Sequence, residues 1–168
     1  MPAGRKSNGL AKMSDARFED GGEAPLALRA LDADDLKVIS TLAQDAIFPI
    51  TEMTWDRKRR RFALLLNRFR WEEGARIGDH RPERVQSVLV VEDAMAVASQ
   101  GIDLSDADMV LSLLAIEWTP GGDGTGRLRL VLAGDGAVAV DVECLEVTLR
   151  DVTRPYYAPS GKVPGHPE

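Results

Sequence analysis

Arg127-Leu128-Arg129-Leu130-Val131-Leu132-Ala133-Gly134-Asp135-Gly136-Ala137-Val138-Ala139-Val140-Asp141-Val142 reads as two β-strands and the turn between them. Apolar residues alternate with charged or small ones on either side of Gly134-Asp135-Gly136, a triplet that tolerates the positive φ angles of tight hairpins. A second glycine-rich turn, Gly121-Gly122-Asp123-Gly124-Thr125-Gly126, precedes it. Short β-type runs separated by such turns extend back to Pro49, near 51–56, 60–71, 84–92, 94–100, 109–119, 127–133 and 137–143. Seven strands joined by sequential hairpins imply a mainly antiparallel sheet.

Upstream of Pro49 the period changes. Leu36, Ile39, Leu42, Ala43, Ala46 and Ile47 recur at helical spacing, and Asp32 is placed to cap the helix, with Asp34 and Asp35 where negative charge suits its N-terminus. The pattern predicts an amphipathic helix over about 32–47, preceded by a short strand at 26–31. Residues 144–152 fit either period: Leu145, Leu149 and Val152 form a helical stripe, whereas Leu145, Val147 and Leu149 alternate. A closing helix is the expectation. The fold class is then α+β, and the order helix, seven strands, helix resembles that of pleckstrin-homology-like domains. Residues 1–24 and the Pro/Gly-rich stretch 155–168 read as flexible ends of a single domain at 25–154.

Composition narrows the chemistry. The chain of 168 residues carries a net charge of −6, which opposes indiscriminate binding to phosphate backbones or anionic membranes. No run approaches the roughly 18 apolar residues of a membrane span, and the N-terminus lacks the apolar stretch of a secretory signal, so a cytoplasmic location is expected. Cys144 is the single cysteine, which rules out an intramolecular disulfide and a multi-thiolate zinc site. Nothing in the chain calls for a cofactor or metal. Asp103, Asp106 and Asp108 form an acidic loop whose spacing fails the EF-hand pattern and suits turns. Neither glycine-rich turn completes a phosphate-binding fingerprint.

The charge is distributed unevenly. Residues 57–76 hold eight Arg or Lys against two Glu, an excess of six; the remaining 13 basic and 25 acidic residues sum to −12. Arg57, Lys58, Arg59, Arg60 and Arg61 fall at a hairpin tip, followed by Asn67, Arg68 and Arg70. Guanidinium forks brought together in this way can grip carboxylate or phosphate. The leading function is a non-enzymatic binding or adaptor module presenting Arg57 to Arg61 and Arg68 to an acidic protein, with RNA as the second choice. The competing reading of the cluster is an ordinary solvated turn. RNA binding would want exposed aromatics, yet Phe69 and Trp71 share one face of a strand and suit a core. Two alternatives differ in class. One is a small-molecule-binding protein or enzyme with a pocket near Asn67, Arg84 and His80. The other is a homo-oligomer in which the basic face of one copy meets an acidic face of the next. Catalysis would rest on His80, with Ser87, Ser99 or Cys144 as nucleophile, and no nucleophile motif supports it. An enzyme therefore ranks below a binding module.

Leu28-Arg29-Ala30-Leu31-Asp32-Ala33-Asp34-Asp35-Leu36, Arg60-Arg61-Phe62-Ala63-Leu64-Leu65-Leu66-Asn67-Arg68-Phe69-Arg70-Trp71-Glu72, Glu83-Arg84-Val85-Gln86-Ser87-Val88-Leu89 and Asp141-Val142-Glu143-Cys144-Leu145 together resemble an uncharacterised bacterial family, domain of unknown function 2948. The resemblance runs from Leu26 to Tyr156. It implies an alphaproteobacterial source and brings no activity and no catalytic residue with it.

Overall fold

The structure is a computed structural model that describes residues 24–70, 83–153 and 156–157. It contains one α-helix and eleven strands among those residues. The chain enters as β1 (Ala27–Ala30), turns into α1 (Ala33–Ala43) and continues through β2 (Ile47–Pro49), a 3-10 turn (Ile50–Glu52) and β3 (Met53–Asp56). Then follow β4 (Arg61–Phe69), β5 (Glu83–Val91), β6 (Ala94–Gln100), β7 (Val110–Pro120), β8 (Gly126–Leu132), β9 (Ala137–Val142), β10 (Val147–Asp151) and β11 (Tyr156–Tyr157). Each of the seven expected runs contains a strand, but the count of about seven is too low, since β1, β2, β10 and β11 add to the sheet. Gly134 and Asp135 adopt φ of 82° and 71° in the β8–β9 turn, as the opening stretch requires.

Every strand pair is antiparallel, in the order β1-β10-β5-β4-β2-β7-β8-β9-β6, with β3 added to β4 and β11 to β5. The order does not lie flat. Residues 92–93 and 143–146 bond to each other at a shared corner, Glu92 N to Glu146 O at 2.9 Å and Glu143 N to Asp93 O at 3.0 Å. There the paired strands β5 and β10 pass over into the paired strands β6 and β9. The corner brings β6, the end of the order, back beside β3 and β4, where the amide of Ala94 donates to the carbonyl of Arg60 at 2.8 Å. Both inner faces and the helix share one core, including Phe48, Leu64, Leu66 and Leu89 from one half and Leu113, Leu128, Leu130 and Val140 from the other.

The helix begins where expected. Asp32 has extended backbone angles and its carboxylate accepts from the Asp35 amide at 2.8 Å. Leu36, Ile39 and Ala43 face the core, and Ser40 Oγ accepts from the Ile116 amide of β7 at 2.9 Å. Asp32→Ala should cost about 1 kcal/mol, because it leaves a first-turn amide without its side-chain acceptor. A lowered urea midpoint with an unchanged slope would show this, and an unchanged midpoint would mean that packing alone sets the helix start.

Three expectations need correction. The helix stops at Ala43 rather than 47, because Asp45 takes φ of 65° and the next residues are drawn to β7, with Asp45 N to Leu113 O at 2.7 Å and Leu113 N to Ala46 O at 2.9 Å. Ile47 to Pro49 is therefore strand. The expected closing helix is absent: Val147–Asp151 is β10, a strand held on both edges by β1 and β5. Its inward residues Val147, Leu149 and Asp151 alternate, and burial between two neighbouring strands decides against the helical stripe. Without that helix the pleckstrin-homology-like order loses the element that plugs its sheets; the helix of this fold is α1. Tyr156–Tyr157, in the stretch read as a tail, pairs with Arg84 and Glu83. Trp71, Arg76, His80 and His166, together with 1–23 and 158–168, lie outside the described residues. Among the described residues no helix is long and apolar enough to cross a membrane.

Candidate interaction surface

The β3–β4 hairpin presents the basic run at its tip. Arg57, Lys58, Arg59, Arg60 and Arg61 are all exposed. The turn is closed by Arg60 N to Arg57 O at 3.2 Å and by Asp56 Oδ1, which accepts from the Arg59 amide at 3.2 Å. Arg60 holds φ of 54°, outside the ordinary strand range, and its carbonyl is engaged by Ala94. Two of the five side chains are spoken for. Arg60 pairs with Glu143 at 2.6 Å and Arg61 with Glu92 at 3.1 Å, both carboxylates belonging to the corner between the two halves. Each such exposed pair is worth less than about 1 kcal/mol, so together they orient the tip more than they stabilise the fold. Arg57, Lys58 and Arg59 have no ion-pair partner among the described residues.

The second half of the basic stretch is not at the surface. Arg68 is fully buried, where the sequence reading has it presented to a partner. Its Nη2 donates to Asp151 Oδ1 at 2.9 Å and Oδ2 at 3.1 Å, its Nε to Ser87 Oγ at 3.0 Å and its Nη1 to the Phe69 carbonyl at 3.2 Å. Ser87 Oγ donates to Asp151 Oδ1 at 2.7 Å, and the Leu26 amide donates to Oδ2 at 2.8 Å. The network ties β4, β5, β10 and the segment entering β1. Arg70 is buried too and pairs with Glu83 at 2.5 Å. The apparent excess of six positive charges therefore reduces, among the described residues, to three free cations at the tip.

Asn67 and Arg84 are brought together. Arg84 Nη1 donates to the Asn67 carbonyl at 3.3 Å while its guanidinium lies 4.0 Å from the Phe69 ring centroid, a stacking that occupies its face. The contact uses the backbone of Asn67, so the pair reads as strand support. An open cleft of about 350 Å³ lies elsewhere, lined by Ile50, Met53, Trp55 and Phe62 on one side and Val97 and Val138 on the other. It separates β3 from β6, two strands that among the described residues are each paired along one edge only. β6 itself, Ala94-Met95-Ala96-Val97-Ala98-Ser99-Gln100, carries no charge, and its last residues lead into the exposed turns of Asp103, Asp106 and Asp108. β6 is not among the site residues expected from the sequence, although its lack of charge is a signal visible there.

A family model described as protein of unknown function (DUF2948) matches residues 26–166, nearly the whole chain. The chain belongs to the DUF2948 family. None of the curated proteins and none of the solved structures matches it. The matched DUF2948 segment begins at Leu26, the residue whose amide reaches Asp151, so the buried network lies wholly within it.

Two of the three candidate nucleophiles of this DUF2948 chain, Ser87 and Cys144, are poorly placed for catalysis. Ser87 is buried and its oxygen is occupied by Arg68 and Asp151. Cys144 is exposed, and its thiol donates to Asp93 Oδ2 at 3.1 Å. That bond, with desolvation and the charges of Asp93, Glu146 and Glu143, raises the thiol above its ordinary pKa and holds it protonated, the unreactive form. Asp103 accepts from the amide and hydroxyl of Ser105, which lowers its pKa, and Asp106 accepts from the Asp108 amide at 3.1 Å. These carboxylates are building turns, and no group of three or more metal-ligating side chains occurs among the described residues.

Proposed function

We propose that this protein is a non-enzymatic contact module of the cytoplasm that uses the tip of the β3–β4 hairpin to bind an acidic protein surface. The observation that carries the reading is the state of Arg57, Lys58 and Arg59: exposed, without ion-pair partners among the described residues, on a tip fixed by Arg60–Glu143, Arg61–Glu92 and the Ala94–Arg60 backbone bond. A protein is favoured over RNA by number and by surroundings. Three cations release few counterions, and Phe62 and Phe69, the described aromatics of the basic stretch, are buried rather than offered for stacking.

The test is co-purification of the tagged chain from its native cytosol, comparing wild type with R57A/K58A/R59A and treating both with nuclease. The expected result is a protein held by wild type through nuclease treatment and lost by the variant, with melting temperatures within about 1 °C because exposed turn substitutions change stability little. A partner held equally by both forms overturns the hairpin as the contact.

A second reading is favoured by the cleft between β3 and β6, whose size falls within the roughly 300–1,000 Å³ of ligand pockets and whose lining is mainly apolar. It would take a small apolar molecule.

A further inference from the structure

The strand β6 ends the sheet order and, among the described residues, pairs only with β9. Natural edge strands are usually guarded by lysine, proline, a bulge or a covering loop, because a bare edge invites another strand. β6 has neither charge nor proline, and Met95, Ala96, Ala98, Ser99 and Gln100 are exposed. Its backbone is covered by hydrogen bonding at one end, where the register shifts between Ala94 and Ala96 and Arg60 O takes the Ala94 amide, while beyond it Leu104 and Ala107 of the following loop and β3 line an open cleft beside Val97 and Ser99. From Ala96 to Gln100 no strand is hydrogen-bonded to its outer side among the described residues, and β3 faces it only across the open cleft.

The two ends of this open edge carry opposite charge. The Ala94 end adjoins the tip with Arg57, Lys58 and Arg59. The Gln100 end runs through Gly101 into the exposed turns of Asp103, Asp106 and Asp108. Antiparallel pairing of two copies sets the start of each β6 against the end of the other, so each basic tip meets the other copy's acidic turns. Parallel pairing would set like charge beside like. A twofold contact must be self-complementary, and this edge is so in both hydrogen bonding and charge.

We propose that the acidic partner of the hairpin is a second copy of this chain, joined through antiparallel β6–β6 pairing across a twofold axis. The proposal rests on the reading that the tip contacts an acidic protein surface. It makes the protein a homodimer whose sheet continues from one copy into the other.

Sedimentation equilibrium of the full chain tests it. Wild type should be dimeric at low salt, with a dissociation constant weakened roughly tenfold or more as added salt screens the tip-to-turn pairs. A96K/A98K, which sets like charges on the paired edge, and R57E/K58E/R59E should each be monomeric with unchanged circular dichroism. D103K/D106K/D108K should also be monomeric. Mixed with R57E/K58E/R59E it should form a heterodimer, because both tip-to-turn contacts are then again opposite in sign. A dimer indifferent to A96K/A98K, or a mixture that stays monomeric, overturns the proposal. A monomeric wild type from whose cytosol another acidic protein co-purifies through the tip overturns the second copy and leaves the hairpin reading standing. A monomeric wild type with no tip-dependent partner removes both.

Discussion

Replacing Arg68 with Met should cost roughly 3–5 kcal/mol of folding free energy, the usual scale for stranding one partner of a buried ion pair. The side chains of Arg68 and Asp151 are 0% and 2% exposed, so water cannot take over when one of them is removed. In R68M, Asp151 keeps the Ser87 hydroxyl and the Leu26 amide, two donors for a carboxylate that has lost a guanidinium fork. Asp151→Leu should be costly for the converse reason. The double variant R68M/D151L should recover most of the loss, since replacing both charges by apolar groups of similar volume removes the desolvation penalty with the attraction. Urea unfolding of the four proteins gives the coupling directly. A loss under about 1 kcal/mol in R68M would mean that the charge is relieved by solvent or rearrangement, and the network would then not be what joins β4, β5 and β10.

That network also shows what could and could not be read in the sequence. The hairpins around Gly134-Asp135 and Gly121 to Gly126 were legible because local turn chemistry and period-two alternation agree there. The N-cap at Asp32 was legible for the same reason, being settled within four residues. Arg68 was misread as a surface cation because it sits in a run of arginines. Its strand position said otherwise: Phe62, Leu64, Leu66 and Arg68 share the inward parity of β4. Asp151 has the same relation to Val147 and Leu149 in β10. Two opposite charges, each on the buried parity of its own strand, are a signature of a buried pair. It requires knowing that 147–151 is a strand, which only pairing with β1 and β5 decides. The shrinkage of the basic patch has a similar cause, since Glu92 and Glu143 are remote in sequence from Arg61 and Arg60 and meet them only at the corner.

Phe48→Ala should also cost roughly 3–5 kcal/mol, the range for emptying a buried phenylalanine site. Little backbone holds β2. Its three residues touch β4 at one position, Ile47 opposite Asn67, and β7 at three, Ile47, Phe48 and Pro49 opposite Ser112, Leu111 and Val110. This is the place in the strand order where β4 is joined to β7, and hence where one half of the sheet is joined to the other. Phe48 is 0% exposed at that joint, so its side-chain burial supplies what so short a ladder cannot. Period reading hid it, because Ala43, Ala46 and Ile47 prolong the helical stripe through the point at which Asp45 leaves the helix. Phe48→Leu, which keeps most of the volume, should cost well under the alanine change, on the order of 1–1.5 kcal/mol. Val38→Ala on the exposed face of α1 should stay within about 0.5 kcal/mol. The joint has a bearing on the proposed dimer as well. Ile50, directly after β2, donates its amide to Met109 O at 2.9 Å, which anchors the end of the acidic loop. Loosening β2 should therefore weaken self-association before it unfolds the chain, and a Phe48→Ala protein that is folded yet as tightly dimeric as wild type would show that the loop is held in place without β2.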